Sequence, residues 1–217
     1  MLQYIFDGGP LMYPIVALLV VGLAVIIDRA VAFNAATRNN KALTADVIAL
    51  LEDNDIEGAA ELCAKIGGPV AAVLLVGIQK FGKLVSKDEK RSNAEMSAIV
   101  KTSMEDYAPQ IVATMDRNIG ILPIVAGLSP LLGMTGTVTG MINSFDSMAT
   151  QTNLEATAVS GGISEALITT AAGLLVAMPA VIAYNIFTKL EDGAVSEIDK
   201  ACTALVDFIA LDYKNEA

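Results

Sequence analysis

The chain contains 217 residues, of which 54% are hydrophobic and 18% are charged, whereas ordinary soluble domains have about 25% charged residues. The formal net charge is −10, which argues against nucleic acid as a partner because phosphate binding needs a basic surface. Histidine is absent, so His-based triads and His-ligated metal sites are excluded, and two cysteines cannot build a disulfide scaffold. An ordinary soluble enzyme is therefore not expected.

The Lys and Arg residues are confined to two parts of the sequence. Eleven lie between Asp28 and Arg117 and three between Lys189 and Lys214, whereas residues 1–27 and 119–188 contain none. A multi-pass membrane protein has this pattern because basic residues stay with its cytoplasmic segments. Apolar stretches long enough to span a bilayer fill the gaps, and we predict transmembrane helices at residues 11–27, 119–142 and 163–187.

The positive-inside rule orients these predicted spans. Residues 1–10 and 143–162 carry acidic residues but no basic residue, so we predict that both segments are periplasmic. The basic segments 28–118 and 188–217 are predicted to be cytoplasmic. We therefore expect an inner-membrane protein with a periplasmic N-terminus and a cytoplasmic C-terminus. A cleaved signal peptide is the alternative for residues 11–27, but the basic region that normally precedes such a peptide is missing.

Helical periodicity continues in the predicted cytoplasmic segments. We predict one or two amphipathic helices in residues 42–66 and a break at the Gly-Gly-Pro of residues 67–69. Residues 70–85 are predicted to form a helix packed on other helices, with a helix at the membrane interface as the alternative. A helix over residues 92–117 is predicted to run straight into the second span, and the third span to continue over residues 188–213. The predicted fold is an all-α membrane protein with three transmembrane helices and long helical extensions into the cytoplasm.

The predicted second span is rich in glycine and threonine. Small residues let helices approach closely in lipid, where packing drives their association. Helical spacing puts Thr135 and Thr139 on nearly the opposite side from Thr137, so one face can line a polar passage while the other packs or bonds its own backbone. The residues predicted to pack helices together are Gly133, Gly136, Gly140, Gly173, Pro130 and Pro179.

Glu165 is the ionisable residue of the predicted third span. A charged side chain at membrane depth costs on the order of 3 kcal/mol or more, so we expect Glu165 to face a cavity. The alternative is a solvated position near the outer interface. Helical spacing places Thr169 beside Glu165 and Thr170 about 140° away from it. The sequence contains no Walker lysine, no metal-ligand spacing and no nucleophile–base pair, so we expect no metal, no cofactor and no enzymatic activity.

Two motifs resemble the signature of the ExbB/TolQ/MotA proton-channel family. Residues 128–142 read LSPLLGMTGTVTGMI and residues 162–174 read GISEALITTAAGL, and the PAVIAYNIF of residues 179–187 is also similar. The resemblance is specific over residues 128–187, and the three-span layout extends it to the whole chain. It is closest to ExbB and TolQ, because flagellar MotA-type stators have four spans.

The resemblance implies a ring-shaped homo-oligomer, a pentamer, around an ExbD/TolR-like single-span partner. Ion flow in such a complex drives mechanical work, which a TonB- or TolA-like protein transmits. The resemblance also implies that Thr137, Glu165 and Thr170 line the channel, while helical spacing adds Thr169 as a candidate in place of Thr170. The expected coupling ion is H⁺, with Na⁺ as the alternative, because Met134 and Thr135 depart from the two large apolar residues of the signature.

Three functions remain open from the sequence. The first is a stator subunit of a proton-motive-force-driven motor, in which ExbB-like duty in TonB-dependent transport and TolQ-like duty in envelope maintenance are not separated. The second is a structural membrane scaffold, in which the glycine–threonine face mediates assembly alone. The third, a stand-alone channel or transporter, is disfavoured because a complete proton relay normally needs more than one carboxylate in the membrane.

Overall fold

The computed structural model describes residues 8–36, 40–86, 92–150 and 156–213. These ranges are helical, as predicted, and three of their helical stretches are long and apolar enough to cross a membrane. In chain order the helices are α1 (Met12–Ala36), α2 (Asn40–Glu52), α3 (Ile56–Ile66), α4 (Pro69–Val85), α5 (Asn93–Asp116), α6 (Ile121–Thr150) and α7 (Ala156–Asp207), with a π-helical turn at Phe208–Asp212.

The described residues form two compact units. We name residues 8–30 and 118–187 the span unit, and residues 31–117 and 188–213 the extension unit. The predicted spans 11–27, 119–142 and 163–187 overlap α1, α6 and α7, respectively. Their exact limits at the bilayer stay predictions.

Apolar side chains cover the outside of the span unit. Its buried aliphatic cluster is small and contains Ile15, Val125, Val176 and Ala180. Many larger side chains are more than half exposed, namely Val20, Ile27, Ile124, Leu131, Phe145, Leu175 and Ile182. Water would disfavour so much contiguous apolar surface, whereas the hydrocarbon of a bilayer solvates it.

The extension unit has the opposite arrangement, with an apolar core and a charged exterior. Residues at helical spacing point inward from each of its helices, and Leu74, Ile78 and Phe81 of α4 lie at the centre. The other fully buried members include Leu43, Val47, Val100, Met104, Leu205 and Ile209. The Phe81 ring meets the Tyr213 ring edge-to-face at 5.0 Å, which fixes the end of the chain on this core.

Helix ends in the extension unit follow the local sequence. The Asp55 carboxylate accepts a hydrogen bond from the Gly58 backbone N–H at 2.8 Å and so caps α3. Gly67 and Gly68 have φ values of +68° and +91°, which L-residues rarely adopt, and Pro69 begins α4. The predicted break at residues 67–69 is therefore confirmed, and residues 42–66 form two helices separated at residues 53–55.

One connection differs from the prediction. The expected uninterrupted helix from residue 92 into the second span is wrong, because α5 ends at Asp116 and α6 begins at Ile121. Asn118 adopts a left-handed conformation with φ +67°, and its carbonyl accepts a hydrogen bond from the Ile121 N–H at 3.1 Å. Asparagine tolerates this conformation better than most residues, so the chain turns there. By contrast, α7 runs unbroken from the third predicted span to Asp207, as predicted.

Both cysteines of the extension unit are free thiols. Burial raises the pKa of the Cys63 thiol to about 11. The pKa of Cys202 is also raised to about 11, by burial and by the nearby carboxylates of Asp199 and Glu105. Both thiols therefore stay protonated at neutral pH. They are unreactive there, because the thiolate is the reactive form.

Candidate functional site

Glycines allow close contact between α6 and α7 in the span unit. A Cβ atom added to Gly133 would lie 3.0 Å from the Thr170 Cα, and one added to Gly173 would lie 2.5 Å from the Ser129 carbonyl oxygen. Further glycines of α6 whose added Cβ would come within 3.0 Å of α7 side chains are Gly136 and Gly140. Because backbone atoms obstruct Gly133 and Gly173, the two helices approach to a separation that larger residues do not permit.

The two prolines predicted to pack helices lie within α6 and α7. Pro130 is half-buried in α6, and Pro179 is half-buried in α7. Pro179 faces a narrow gap that Gly22 of α1 and Val125 of α6 also line. This proline therefore lies where the three apolar helices meet.

Thr170 lies in the contact between α6 and α7. Its Oγ1 donates a hydrogen bond to the Gly133 carbonyl oxygen at 2.8 Å, so the side chain joins the two helices directly. The Ser144 hydroxyl, further along α6, is buried and donates to the Gly140 carbonyl at 2.9 Å. Among the described residues, the buried Ser129 hydroxyl has no hydrogen-bond partner. Hydroxyls as well as glycines thus occupy the interior of the span unit.

A cavity of about 240 Å³ with several polar side chains in its lining lies next to this contact. It is bounded by residues 8–11, by one face of α6 and by the beginning of α7. The polar side chains that line it are Thr135, Thr139, Asn143, Glu165 and Thr169. The cavity therefore places a carboxylate, an amide and three hydroxyls together among helices whose outer surfaces are apolar.

Residues 8–10 cover the Glu165 carboxylate. Gly9 has φ +69°, a conformation that favours glycine, and a Cβ atom added to it would meet the end of the flexible Glu165 side chain. The Thr169 Oγ1 is 2.6 Å from the Gly8 carbonyl oxygen and 2.9 Å from the Glu165 carbonyl oxygen, and both can accept its hydrogen bond. The N-terminal turn thus contacts α7 at the two residues that line the cavity.

The structure brings two of the four predicted channel residues together. Glu165, which is half-buried, and Thr169, which is 1% exposed, share the cavity, in keeping with their four-residue spacing. Thr170 faces α6, and Thr137 donates from its Oγ1 to the Met134 carbonyl at 2.7 Å within its own helix. Neither Thr137 nor Thr170 is among the described residues that line this cavity.

Thr135, Thr139 and Asn143 were not predicted as site residues. Their spacing of four puts all three on one face of α6, and this periodicity is the signal that could have found them. The contributions of Gly8 and Gly9 carry a weaker signal, since a Gly-Gly-Pro sequence predicts a turn but not what the turn covers.

Metal chemistry finds no support in the described residues. Within these four ranges, no group of three or more His, Cys, Asp or Glu side chains is arranged to hold a metal ion. The cavity in the span unit offers hydroxyl, carbonyl and carboxylate oxygens together with the Asn143 amide, and these groups can bind water or contact a cation.

Several known proteins are similar to this chain. The ExbB biopolymer transport protein of Pseudomonas putida is 32% identical over 111 residues, covering 49% of this chain and 34% of that protein. The putative ExbB-like 3 protein of Synechocystis is 28% identical over 185 residues, covering 84% and 82%. The Tol-Pal system protein TolQ of Pseudomonas aeruginosa is 34% identical over 119 residues, covering 55% and 51%. The matched region thus covers about a third of the Pseudomonas putida protein and about half of the Pseudomonas aeruginosa protein.

A family model also matches this chain, over residues 66–200. The matched region contains α6 and most of α7, and so the glycine contact, Glu165 and Thr169. The members of this family are proton channel components of the inner membrane and are not enzymes. With more than half of its residues matched, this chain belongs to the MotA/TolQ/ExbB proton channel family.

Proposed function

We propose that the chain is the inner-membrane stator subunit of a motor driven by the proton motive force. In this proposal five copies form a ring around an ExbD/TolR-like single-span partner. Ion flow through the complex produces mechanical work, and a TonB- or TolA-like protein transmits it to the outer membrane. The N-terminus is periplasmic and the C-terminus cytoplasmic, since the basic residues flank the spans on that side.

The observation that carries the proposal is the carboxylate within the span unit. Glu165 shares a cavity with the hydroxyls of Thr135, Thr139 and Thr169, in a unit whose outer surface is aliphatic. An ionisable side chain at membrane depth is costly and is kept where ions or protons pass. Together with membership of a proton channel family, this arrangement supports an ion path along α6 and α7.

Removal of two polar groups tests this function, at Glu165 in the cavity and at Thr137, which the family resemblance assigns to the channel. We expect Glu165→Ala and Thr137→Ala each to abolish motive-force-dependent transport while the protein stays in the membrane at normal amounts. Matched controls are Glu61→Ala and Thr102→Ala, which remove an exposed carboxylate and an exposed hydroxyl from the extension unit. Full transport with both span-unit variants would overturn the assignment.

A structural scaffold is the competing function, and the close glycine contact between α6 and α7 is the observation that favours it. Glu165→Gln separates the two, because it keeps the size and the hydrogen-bonding capacity of the side chain but not its charge. A scaffold tolerates this substitution, whereas an ion path is slowed. Unchanged transport would leave the scaffold as the better explanation.

The partner is identified by gentle purification from native membranes followed by native mass spectrometry. Five copies of the chain with a single-span protein that carries an intramembrane Asp are expected. Loss of TonB-dependent uptake on deletion would assign the ExbB-like duty, and loss of envelope integrity the TolQ-like duty. A homo-oligomer that never retains such a partner would contradict the proposed motor.

A further inference from the structure

We propose that the coupling ion reaches Glu165 through the cavity lined by Thr135, Thr139 and Asn143, and that the turn of residues 8–10 is the lid that closes it. The proposal rests on the proposed function for the identity of the ion. The lid itself rests on contacts within the span unit. Four observations support it.

The cavity presents acceptor oxygens. Thr135 Oγ1 donates to the Leu131 carbonyl at 2.8 Å, and Thr139 Oγ1 donates to the Thr135 carbonyl at 3.0 Å. Since a hydroxyl has one hydrogen, each of these oxygens can offer the cavity only its lone pairs. With the Glu165 carboxylate beside them, the surroundings favour a hydrated cation over an anion.

The size of the cavity is suited to a hydrated ion. A volume of about 240 Å³ accommodates several water molecules, each of which occupies roughly 30 Å³ in the liquid. Polar groups at membrane depth require such solvation, because lipid supplies no hydrogen bonds. The Thr135 and Thr139 hydroxyls of α6 therefore form a polar surface in the cavity together with Asn143 and Glu165.

The lid is held over this surface at two points. Gly9 lies against the Glu165 carboxylate in a conformation that favours glycine. The Gly8 carbonyl accepts the Thr169 hydroxyl at 2.6 Å. The turn is also tied to the first span, because the Met12 N–H donates to the Gly9 carbonyl at 3.1 Å at the start of α1. A movement of the start of α1 therefore moves the lid.

Opening the lid leaves no buried donor without a partner. The Thr169 hydroxyl has a second acceptor, the Glu165 carbonyl of its own helix at 2.9 Å, and transfers its hydrogen bond there when Gly8 departs. The cost of leaving a buried donor unpaired is thereby avoided, although the bond to the Gly8 carbonyl is lost. The two hydrogen-bonding arrangements of Thr169 define a closed and an open state, and only the closed state provides the Gly8 acceptor.

Thiol labelling tests the lid. Thr169→Cys is placed in a Cys63→Ala/Cys202→Ala background of the full complex, and a positively charged methanethiosulfonate is added to spheroplasts and, separately, to inverted vesicles. In Gly9→Ala the positive φ of residue 9 strains the turn and the added Cβ meets the Glu165 carboxylate, so we expect the turn to shift and the labelling rate to rise about five-fold or more. Gly161→Ala is the matched control, because nothing lies within 4 Å of its added Cβ.

The two membrane preparations test the lid and the topology separately. A higher labelling rate of the Gly9→Ala variant in spheroplasts supports both the lid and a periplasmic N-terminus. A higher labelling rate only in inverted vesicles supports the lid but contradicts the proposed orientation. Equal rates for the Gly9→Ala and Gly161→Ala variants in both preparations would overturn the lid. If Gly9→Ala does not accumulate, hydrogen exchange of residues 8–14 is compared between Thr169→Val and Thr169→Ser, and only the valine variant is expected to exchange about five-fold faster.

The path itself is tested by transport. Thr139→Val removes a cavity oxygen without changing the shape of the side chain, and we expect motive-force-dependent transport to fall several-fold, whereas Thr139→Ser retains it. Glu165→Ala is measured in the same assay. If Glu165→Ala abolishes transport and Thr139→Val does not lower it, the cavity path is wrong. If Glu165→Ala is fully active, the proposed function itself fails.

Discussion

The two units of this protein place their side chains in opposite ways. In the extension unit, Leu74 and Phe81 are buried and the charged residues face outward. In the span unit, large residues such as Leu175 are exposed, while Gly133 and Thr169 lie inside. The hydrophobic effect rewards the first arrangement in water. It offers no driving force for the second in lipid, where close packing and hydrogen bonds hold helices together.

The difference shows that burial has a different meaning in each unit. A buried residue of the extension unit stabilises the fold by removing apolar area from water. A buried residue of the span unit stabilises it by allowing close helix packing or by making a hydrogen bond. The same substitution should therefore have different consequences in the two units. Four sets of substitutions test this, from the largest expected effect to the smallest.

Leucine truncation gives the largest contrast. Leu74 is 1% exposed in the extension unit, so Leu74→Ala leaves a cavity and should cost about 2–5 kcal/mol of unfolding free energy. Leu175 is 65% exposed in the span unit, and Leu175→Ala should cost less than about 1 kcal/mol. Thermal unfolding of the detergent-solubilised protein measures both. Equal losses would break the comparison.

Alanine substitutions at two glycines should change the unfolding free energy in opposite directions. The added Cβ of Gly173→Ala meets the Ser129 carbonyl oxygen, so we expect a loss of about 1–3 kcal/mol. Nothing lies within 4 Å of the corresponding Cβ at Gly127, in the interior of α6, and alanine there should add about 0.5–1 kcal/mol through its helix propensity. The melting temperatures of the two variants should move in opposite directions, and a shared direction would contradict the packing account.

A single hydrogen bond gives a smaller effect. Thr170→Val keeps the side-chain shape but removes the donor to the Gly133 carbonyl, and should cost about 1 kcal/mol. Thr170→Ser keeps the donor and should retain most of the stability. The melting temperature of each variant is measured beside its transport activity. A valine variant with full stability and no transport would indicate that Thr170 acts on the ion and not on the contact.

The smallest effect concerns charge in the extension unit. Burial, Asp116 and Asp192 together raise the pKa of the Glu191 carboxyl above its usual value. The folded state therefore favours the protonated form, so its stability falls as the pH rises through the pKa range of this carboxyl. Glu191→Gln should raise the melting temperature slightly at pH 7, and the gain should vanish in acid. Glu61→Gln, at an exposed site, is the control.

Features set by neighbouring residues could be predicted from the sequence. The break at Gly67 and Gly68, the two helices before it and the unbroken α7 all follow from local propensity and periodicity. The proximity of Thr169 to Glu165 follows from helical spacing alone. The break at Asn118 does not, because asparagine is accepted both in helices and in left-handed turns, and the surrounding structure decides.

Contacts between distant segments could not be predicted in the same way. The hydrogen bond from Thr169 to Gly8 joins residues 161 positions apart, and that from Thr170 to Gly133 joins residues 37 apart. Periodicity states which side of a helix a residue occupies, but not which segment covers that side. The lid and the role of Thr170 between the helices therefore required the structure.

The extension unit's core has a consequence for biosynthesis. Its last members, Ile198, Leu205 and Ile209, follow Met104 by more than 90 residues, and the segment between contains both α6 and the start of α7. At about 5–20 residues per second, roughly 5–20 s pass between synthesis of Met104 and synthesis of Ile198. During that time α2 to α5 expose the apolar surface that α7 later covers. Chains truncated before Ile198 should therefore engage chaperones and be degraded, although all three apolar helices have already been made.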